Sequence, residues 1–169
     1  EVLPVGTLVG DYELLALIGV GGFARVYKAR HRVLRSEVAI KVISRALALD
    51  VEASERFVRE ARAASRVLHR NVVRVLGFGT ISDGRAFQIM ELVDGSPLDR
   101  YLVEHVVEAE ETLRILGAIA DALHAAHAVQ IIHRDLKPAN VLMGPQGQPR
   151  LADFGIAKAE AAPGLTAAG

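Results

Sequence analysis

The stretch Ile131-Ile132-His133-Arg134-Asp135-Leu136-Lys137-Pro138-Ala139-Asn140-Val141-Leu142-Met143 decides how this chain is read. Five polar functional groups are crowded between two apolar runs. Such crowding marks a loop that the core holds and that presents its groups into a cleft. There Asp135 can accept a proton, Lys137 can carry positive charge to a phosphate, and Asn140 can ligate a hard cation through oxygen. A Gly/Pro/Gln turn over residues 144–149 leads to Asp153-Phe154-Gly155. Asp153 offers a second oxygen ligand, and Gly155 permits a sharp change of backbone direction.

Upstream of this loop the sequence alternates strands with one main helix. Residues 12–18 predict a strand that runs into Gly19, Gly21 and Gly22, and residues 25–30 predict a second. Residues 37–43, EVAIKVI, predict a third, being rich in β-branched side chains and lacking Gly and Pro. A helix is predicted over 54–68, with Ser54 as N-cap and Glu55 in its first turn. Phe57, Ala61, Ala64 and Leu68 recur at helical spacing, while Arg56, Arg59, Arg62 and Arg66 fall mostly on another, solvated side. Strands over 72–78 and 86–92 flank the turn Ser82-Asp83-Gly84. Helices are predicted over 98–103 and 110–129. His124 and His127 on the latter have metal-ligand spacing but no third ligand nearby in sequence, so they read as packing or surface residues.

The segment Gly19-Val20-Gly21-Gly22-Phe23-Ala24-Arg25-Val26 is a glycine-rich turn between strands. Glycine lets backbone amides approach a phosphate closely, although a strand turn calls for glycine in any case. The segment also fits G-x-G-x-x-A, a dinucleotide fingerprint, but that fingerprint must open a helix, and here a strand is predicted next. Lys41 shares a strand face with Ala39 and Ile43, opposite Val38, Ile40 and Val42. A lysine there can simply snorkel to solvent. Glu60 lies on the apolar side of its helix, where a carboxylate is costly unless paired. Lys41 from the sheet beneath would satisfy it, and water at the edge of the stripe is the alternative.

Composition narrows the function class. The 169 residues hold 20 Lys plus Arg and 20 Asp plus Glu, so the formal charge is zero and the basic excess of a general nucleic-acid binder is lacking. Cysteine is absent, which excludes a disulfide scaffold and a Cys-ligated zinc site. Residues 1–10 show no secretory signal, and the apolar stretch 113–132 is broken by Arg114, Asp121, His124 and His127, too polar for a spanning helix.

Taken in order, these motifs resemble the protein kinases, and most of all the bacterial eukaryotic-like Ser/Thr branch. They are the glycine loop, Val38-Ala39-Ile40-Lys41, Glu60, His133-Arg134-Asp135 through Asn140, and Asp153-Phe154-Gly155. Lys41 precedes Glu60 by 19 positions and Asp135 precedes Asp153 by 18, as the family pattern expects. The resemblance implies an α+β fold: a five-stranded antiparallel small lobe with one main helix, plus an incomplete, mainly helical large lobe. It divides the chain into a lead-in at 1–10, the small lobe and hinge at 11–93, and part of the large lobe at 94–169.

The same resemblance implies a serine/threonine protein kinase using ATP and Mg²⁺. Gly19, Val20, Gly21, Gly22, Phe23 and Ala24 would cover the phosphates. Lys41 would contact them and be held by Glu60. Val26, Ala39 and Leu142 would sandwich adenine beside the gatekeeper Met90, with Glu91, Leu92 and Val93 as hinge. Asp135 would take the substrate proton, Lys137 would steady the γ-phosphoryl group, and Asn140 and Asp153 would hold Mg²⁺. Arg134 before Asp135 goes with activation by phosphorylation, for which Thr166 is the candidate. Ala24 for the third loop glycine and Arg70 for a usual proline depart from the pattern without touching the chemistry. A nucleotide-binding pseudokinase or signalling scaffold is the alternative; it conflicts with the presence of Lys41, Glu60, Asp135, Asn140 and Asp153. Partners would be ATP and a protein carrying Ser or Thr, with no nucleic acid and no membrane span in this segment. The location would be cytoplasmic, with any membrane anchor of the parent protein outside this segment. The chain is shorter than the family's catalytic domain. It is therefore expected to be inactive alone and to keep an apolar face on the 110–129 helix.

Overall fold

A computed structural model describes residues 2–154. Its first half is an antiparallel six-stranded sheet built from β1 (Leu8–Val9), β2 (Tyr12–Val20), β3 (Ala24–His31), β4 (Glu37–Ile43), β5 (Val75–Thr80) and β6 (Ala86–Glu91), in the order β1-β2-β3-β4-β6-β5. Five of these strands are the predicted ones. The sixth, β1, lies in the stretch read as a lead-in. It is only two residues long, too short to show an alternation, yet it pairs with β2 and buries Val9 completely.

Strand β4 shows why the sheet has two covered faces. Val38, Ile40 and Val42 pack with Val9, Leu14, Tyr27 and Ala29 on one side. Ala39 packs with Val73 and Met90, and Ile43 with Phe57, on the other. Each fully buried Val, Leu, Ile or Phe side chain among these contributes about 1.5–3 kcal/mol.

Two helices follow β4. Helix α1 (Arg45–Leu49) starts at Ser44, whose Oγ accepts from the amide of Leu47 at 3.2 Å. Helix α2 (Val51–Ala64) starts at Asp50, whose Oδ1 accepts from the amide of Ala53 at 3.0 Å. The expected N-cap Ser54 therefore lies inside α2. Asp50 is an equally good cap and stands where the chain first turns after α1, and Glu52 adds negative charge to the first turn. Phe57, Ala61 and Ala64 are buried as the spacing requires, whereas Leu68 lies beyond the helix and is exposed.

The second half joins a small sheet, β7 (Ser96–Pro97), β8 (Val141–Met143) and β9 (Pro149–Leu151), to helices α3 (Leu98–Glu104) and α4 (Ala109–Ala128). Ile115, Ala122 and Ala126 of α4 pack against Leu98, Val141, Met143, Leu151 and Phe154. Gln130 closes α4 in a left-handed conformation (φ 63°), and the amide of Ile131 returns to the carbonyl of Ala126 at 2.9 Å. This stop aims the next residues, 131–140, back toward the first sheet. The opposite face of α4 leaves Leu113 and Leu116 exposed, and both His124 and His127 point to solvent.

The segment between α2 and β5 is stitched to β9. Leu151 donates to Asn71 O at 2.7 Å, Val73 donates to Leu151 O at 2.8 Å, and the buried Asn71 side chain donates to Pro149 O at 2.9 Å. These bonds fix the two sheets relative to each other and define the cleft between them.

Candidate active site

The cleft has two contiguous halves. One, of about 610 Å³, is lined by Gly19, Val20, Gly21, Gly22, Phe23, Ala24, Val26, Lys41, Asp135, Lys137, Asn140 and Asp153. The other, of about 590 Å³, is lined by Val26, Ala39, Met90, Glu91, Leu92, Val93 and Leu142. The first is polar at its floor; the second is a slot between aliphatic side chains beside the chain segment that links the sheets. Every residue expected to cover phosphates or sandwich a base lines one half or the other.

The glycine turn joins β2 to β3, and a strand rather than a helix follows it. The helix that a dinucleotide fingerprint must open is therefore absent at this point, which removes the dinucleotide-binding reading. Gly21 donates to Ala24 O at 3.0 Å, and the Arg25 guanidinium returns to the carbonyl of Gly21, so the turn is tied from both sides. A Cβ on Gly22 would meet nothing within 4 Å.

The catalytic-looking groups converge on the floor. Pro138 opens a short 3₁₀ turn, Pro138–Asn140, that buries Asn140. The Asn140 side-chain nitrogen donates to the Asp135 backbone carbonyl at 2.7 Å and to its Oδ2 at 3.0 Å. Both bonds use nitrogen, so Oδ1 is the atom that Asn140 has to offer a cation. Lys137 Nζ lies 2.7 Å from Asp135 Oδ2. Arg134 and Asp153 both adopt left-handed backbone (φ 63° and 55°), which costs a non-glycine residue about 1–3 kcal/mol and is sustained only by surrounding contacts.

Lys41 pairs with Asp153: Nζ lies 2.8 Å from Oδ1, and the lysine side chain is only 12% exposed. At that distance the attraction is about 6 kcal/mol at an effective dielectric of about 20, before desolvation. The sequence expectation placed Glu60 opposite Lys41. Instead Glu60 lines a separate cavity of about 360 Å³ with Arg56, Arg59 and Arg134. Lys41 leaves β4 toward the cleft floor, and the carboxylate delivered there comes from the residues after β9. Glu60 faces the basic wall made by α2 and Arg134.

Other side chains at the site carried no role in the sequence reading. His133 is 2% exposed; its Nε2 lies 2.8 Å from Ala152 O, and its ring packs 4.8 Å from that of Phe154. It thereby holds the strand end that presents Asp153. Its position among four other polar groups hid it, because nothing in one sequence says which member of a polar cluster turns inward. At the mouth of the apolar half, Lys28 and Arg30 lie 2.7 and 2.9 Å from Glu37. Hydrogen bonds from Lys28 first, then Arg30, hold the Glu37 carboxyl below its ordinary value.

The donor set suits a magnesium–nucleotide pair. Mg²⁺ prefers oxygen ligands, keeps one or two carboxylates, and completes its shell with phosphates and water. Asp153 and Asn140 supply such oxygens beneath a glycine turn and beside a lysine. Among the described residues no cluster of three His, Cys, Asp or Glu could hold a metal ion by itself.

Comparison with known proteins agrees with this geometry. A family model described as "Protein kinase domain" matches residues 12–167. The chain is 40% identical over 172 residues to serine/threonine-protein kinase pkn3 of Myxococcus xanthus, covering 96% of this chain and 31% of that protein. It is 40% identical over 151 residues to PrkC of Bacillus subtilis, covering 89% of this chain and 23% of that protein. The chain thus spans about a quarter to a third of the length of these relatives. The crystal structure of the Mycobacterium tuberculosis PknI kinase domain superposes with a TM-score of 0.82 at 34% identity, covering 93% of this chain and 63% of that one.

Proposed function

This chain belongs to the protein kinase domain family, and we propose on that footing that the intact protein transfers the γ-phosphoryl group of ATP to Ser or Thr hydroxyls of other proteins. The observation that carries this reading is the convergence of Lys41, Asp135, Lys137, Asn140 and Asp153 on one 610 Å³ half-cleft under a glycine turn.

In this reading adenine occupies the apolar half between Val26, Ala39 and Leu142, beside Met90, and meets the backbone of Glu91 and Val93. The amides of residues 19–24 face the phosphates, and Lys41 contacts the α and β groups. Asn140 and Asp153 would hold Mg²⁺, which would supply positive charge to the phosphates. Asp135 orients the substrate hydroxyl and takes its proton as the oxygen–phosphorus bond forms. The bond from the γ phosphorus to the β–γ bridging oxygen breaks, and ADP leaves. Lys137, 2.7 Å from Asp135, steadies the moving phosphoryl group. Catalysis is mostly positioning and charge stabilisation.

Phosphorylation at Thr166 activates the protein in this reading. The residue lies outside the described residues; the support is the basic wall of Arg56, Arg59 and Arg134 around one cavity. Among the described residues no helix is long and apolar enough to cross a membrane. The cytoplasm, where ATP is supplied, is the proposed location. The 169-residue chain alone is proposed to be inactive on protein substrates, in line with the exposed Leu113 and Leu116 on α4.

The test is Asp135→Asn in the intact protein. Transfer to protein substrate should fall about 10²–10⁴-fold while ATP affinity persists. ATP–Mg²⁺ should raise the melting temperature and NAD should not. Undiminished transfer in the variant, or stabilisation by NAD alone, would overturn the reading.

A further inference from the structure

The linking segment between the two sheets has a second, outward side. Among the described residues, Glu91 is the one that lines both the apolar half of the cleft and a cavity of about 300 Å³ behind it, formed with Val67, His69, Val72, Arg74 and Arg150. Its backbone is the expected adenine edge; its side chain turns the other way. There Oε1 accepts from Arg150 Nη1 at 2.5 Å and from the Arg74 amide at 2.9 Å. The Glu91 amide donates in turn to Arg74 O at 3.0 Å. The Glu91 and Arg150 side chains are only 30% and 28% exposed, so water screens this pair less than an ordinary surface pair.

The location of Arg150 gives the contact its meaning. Arg150 is the middle residue of β9, paired with Leu142 of β8. Leu142 lines the apolar half of the cleft, and Asp153 lies just past the end of β9. One ion pair therefore joins the backbone that would meet the base to the strand that leads to the Lys41-paired carboxylate. We propose that Arg150 is a positioning residue that acts through Glu91, latching the hinge to β9 and setting the distance between the adenine edge and Asp153. The proposal rests on the kinase reading of the cleft. It adds an interlobe latch to that reading, one that tunes nucleotide affinity without touching nucleotide.

The experiment is a double-mutant cycle in the intact protein with Glu91→Gln, Arg150→Met, the double variant and Arg150→Lys. Each of the two single variants should raise KM for ATP about 3–10-fold with kcat within about twofold, the pattern of lost binding rather than lost chemistry. The double variant should be no worse than the worse single, because each removes the same contact. Arg150→Lys keeps the charge and should stay near wild type. Amide hydrogen exchange supplies a readout independent of activity: Arg150→Met should accelerate exchange in residues 91–95, the end of β6 and the segment that links it to β7. Wild-type KM in the two singles, additive effects in the double variant, or unchanged exchange at 91–95 would each overturn the latch. Wild-type protein that transfers no phosphate while its exchange responds to Arg150→Met would sink the kinase reading and leave the latch standing.

Discussion

Replacing His133 separates its two contributions. His133→Ala removes the donor to Ala152 O at 2.8 Å and the ring that packs 4.8 Å from Phe154. A buried acceptor left unsatisfied costs about 1–3 kcal/mol. An aromatic pair adds about 0.5–1.5 kcal/mol beyond its area. The expected loss is therefore about 2–4 kcal/mol. His133→Phe keeps a ring of similar size and loses the bonds at both ring nitrogens, to Ala152 O and from the Asp135 amide at 3.4 Å, so about 1–3 kcal/mol should go. With a urea dependence of about 2 kcal/mol per molar, the midpoint should fall by about 1–2 M for alanine and about 0.5–1.5 M for phenylalanine. Pulse proteolysis of the intact protein across a urea series reads both. Because Ala152 precedes Asp153, both variants should also raise KM for ATP. A phenylalanine variant with an unchanged midpoint and unchanged KM would refute the assignment of His133 as the support of that strand end.

Two further outcomes follow from particular contacts. A Cβ on Gly95 would lie 1.9 Å from Met143 O, a backbone atom that cannot yield cheaply, so Gly95→Ala should force β7 and β8 apart and cost about 1–3 kcal/mol; a melting temperature equal to wild type would contradict the close approach. The Asp83 carboxyl is held below its ordinary value, first by the side chain of the buried Arg85. Its stabilising contribution is complete above the ordinary aspartate value and is lost as pH falls through the lowered one. Asp83→Asn should therefore lower the melting temperature at pH 7 and progressively less toward pH 3; a constant difference across that range would show the pair to be idle.

The strands and the cleft residues were legible because each carries a local signature. In β4 the split of Val38, Ile40 and Val42 from Ala39 and Ile43 is a period of two, and the structure packs the two sets into different clusters. The polar loop around Asp135 was legible from its contrast with flanking apolar runs. What escaped was non-local. The partner of Lys41 depends on where a carboxylate more than a hundred residues later is delivered, and spacing alone cannot rank Asp153 above Glu60. The start of α2 was misplaced because Asp50 and Ser54 are comparable caps. Strand β1 was missed because two residues carry no pattern, and Arg150 because a basic residue in a short strand looks like any exposed cation.

The stitching of Asn71 and Val73 to Pro149 and Leu151 also governs the order in which the molecule can be made. The Asn71 side chain bonds to a carbonyl 78 residues downstream. During synthesis at about 5–20 residues per second, residues 71–73 wait roughly 4–16 s for that partner to be polymerised. Over that interval the first sheet can form its hairpins, but Val72, between α2 and β5, packs with Val141, Met143 and Leu151 and has none of them to receive it. The nascent chain is thus most exposed to off-pathway association, or to capture by a chaperone, after the first sheet has emerged and before β9 does.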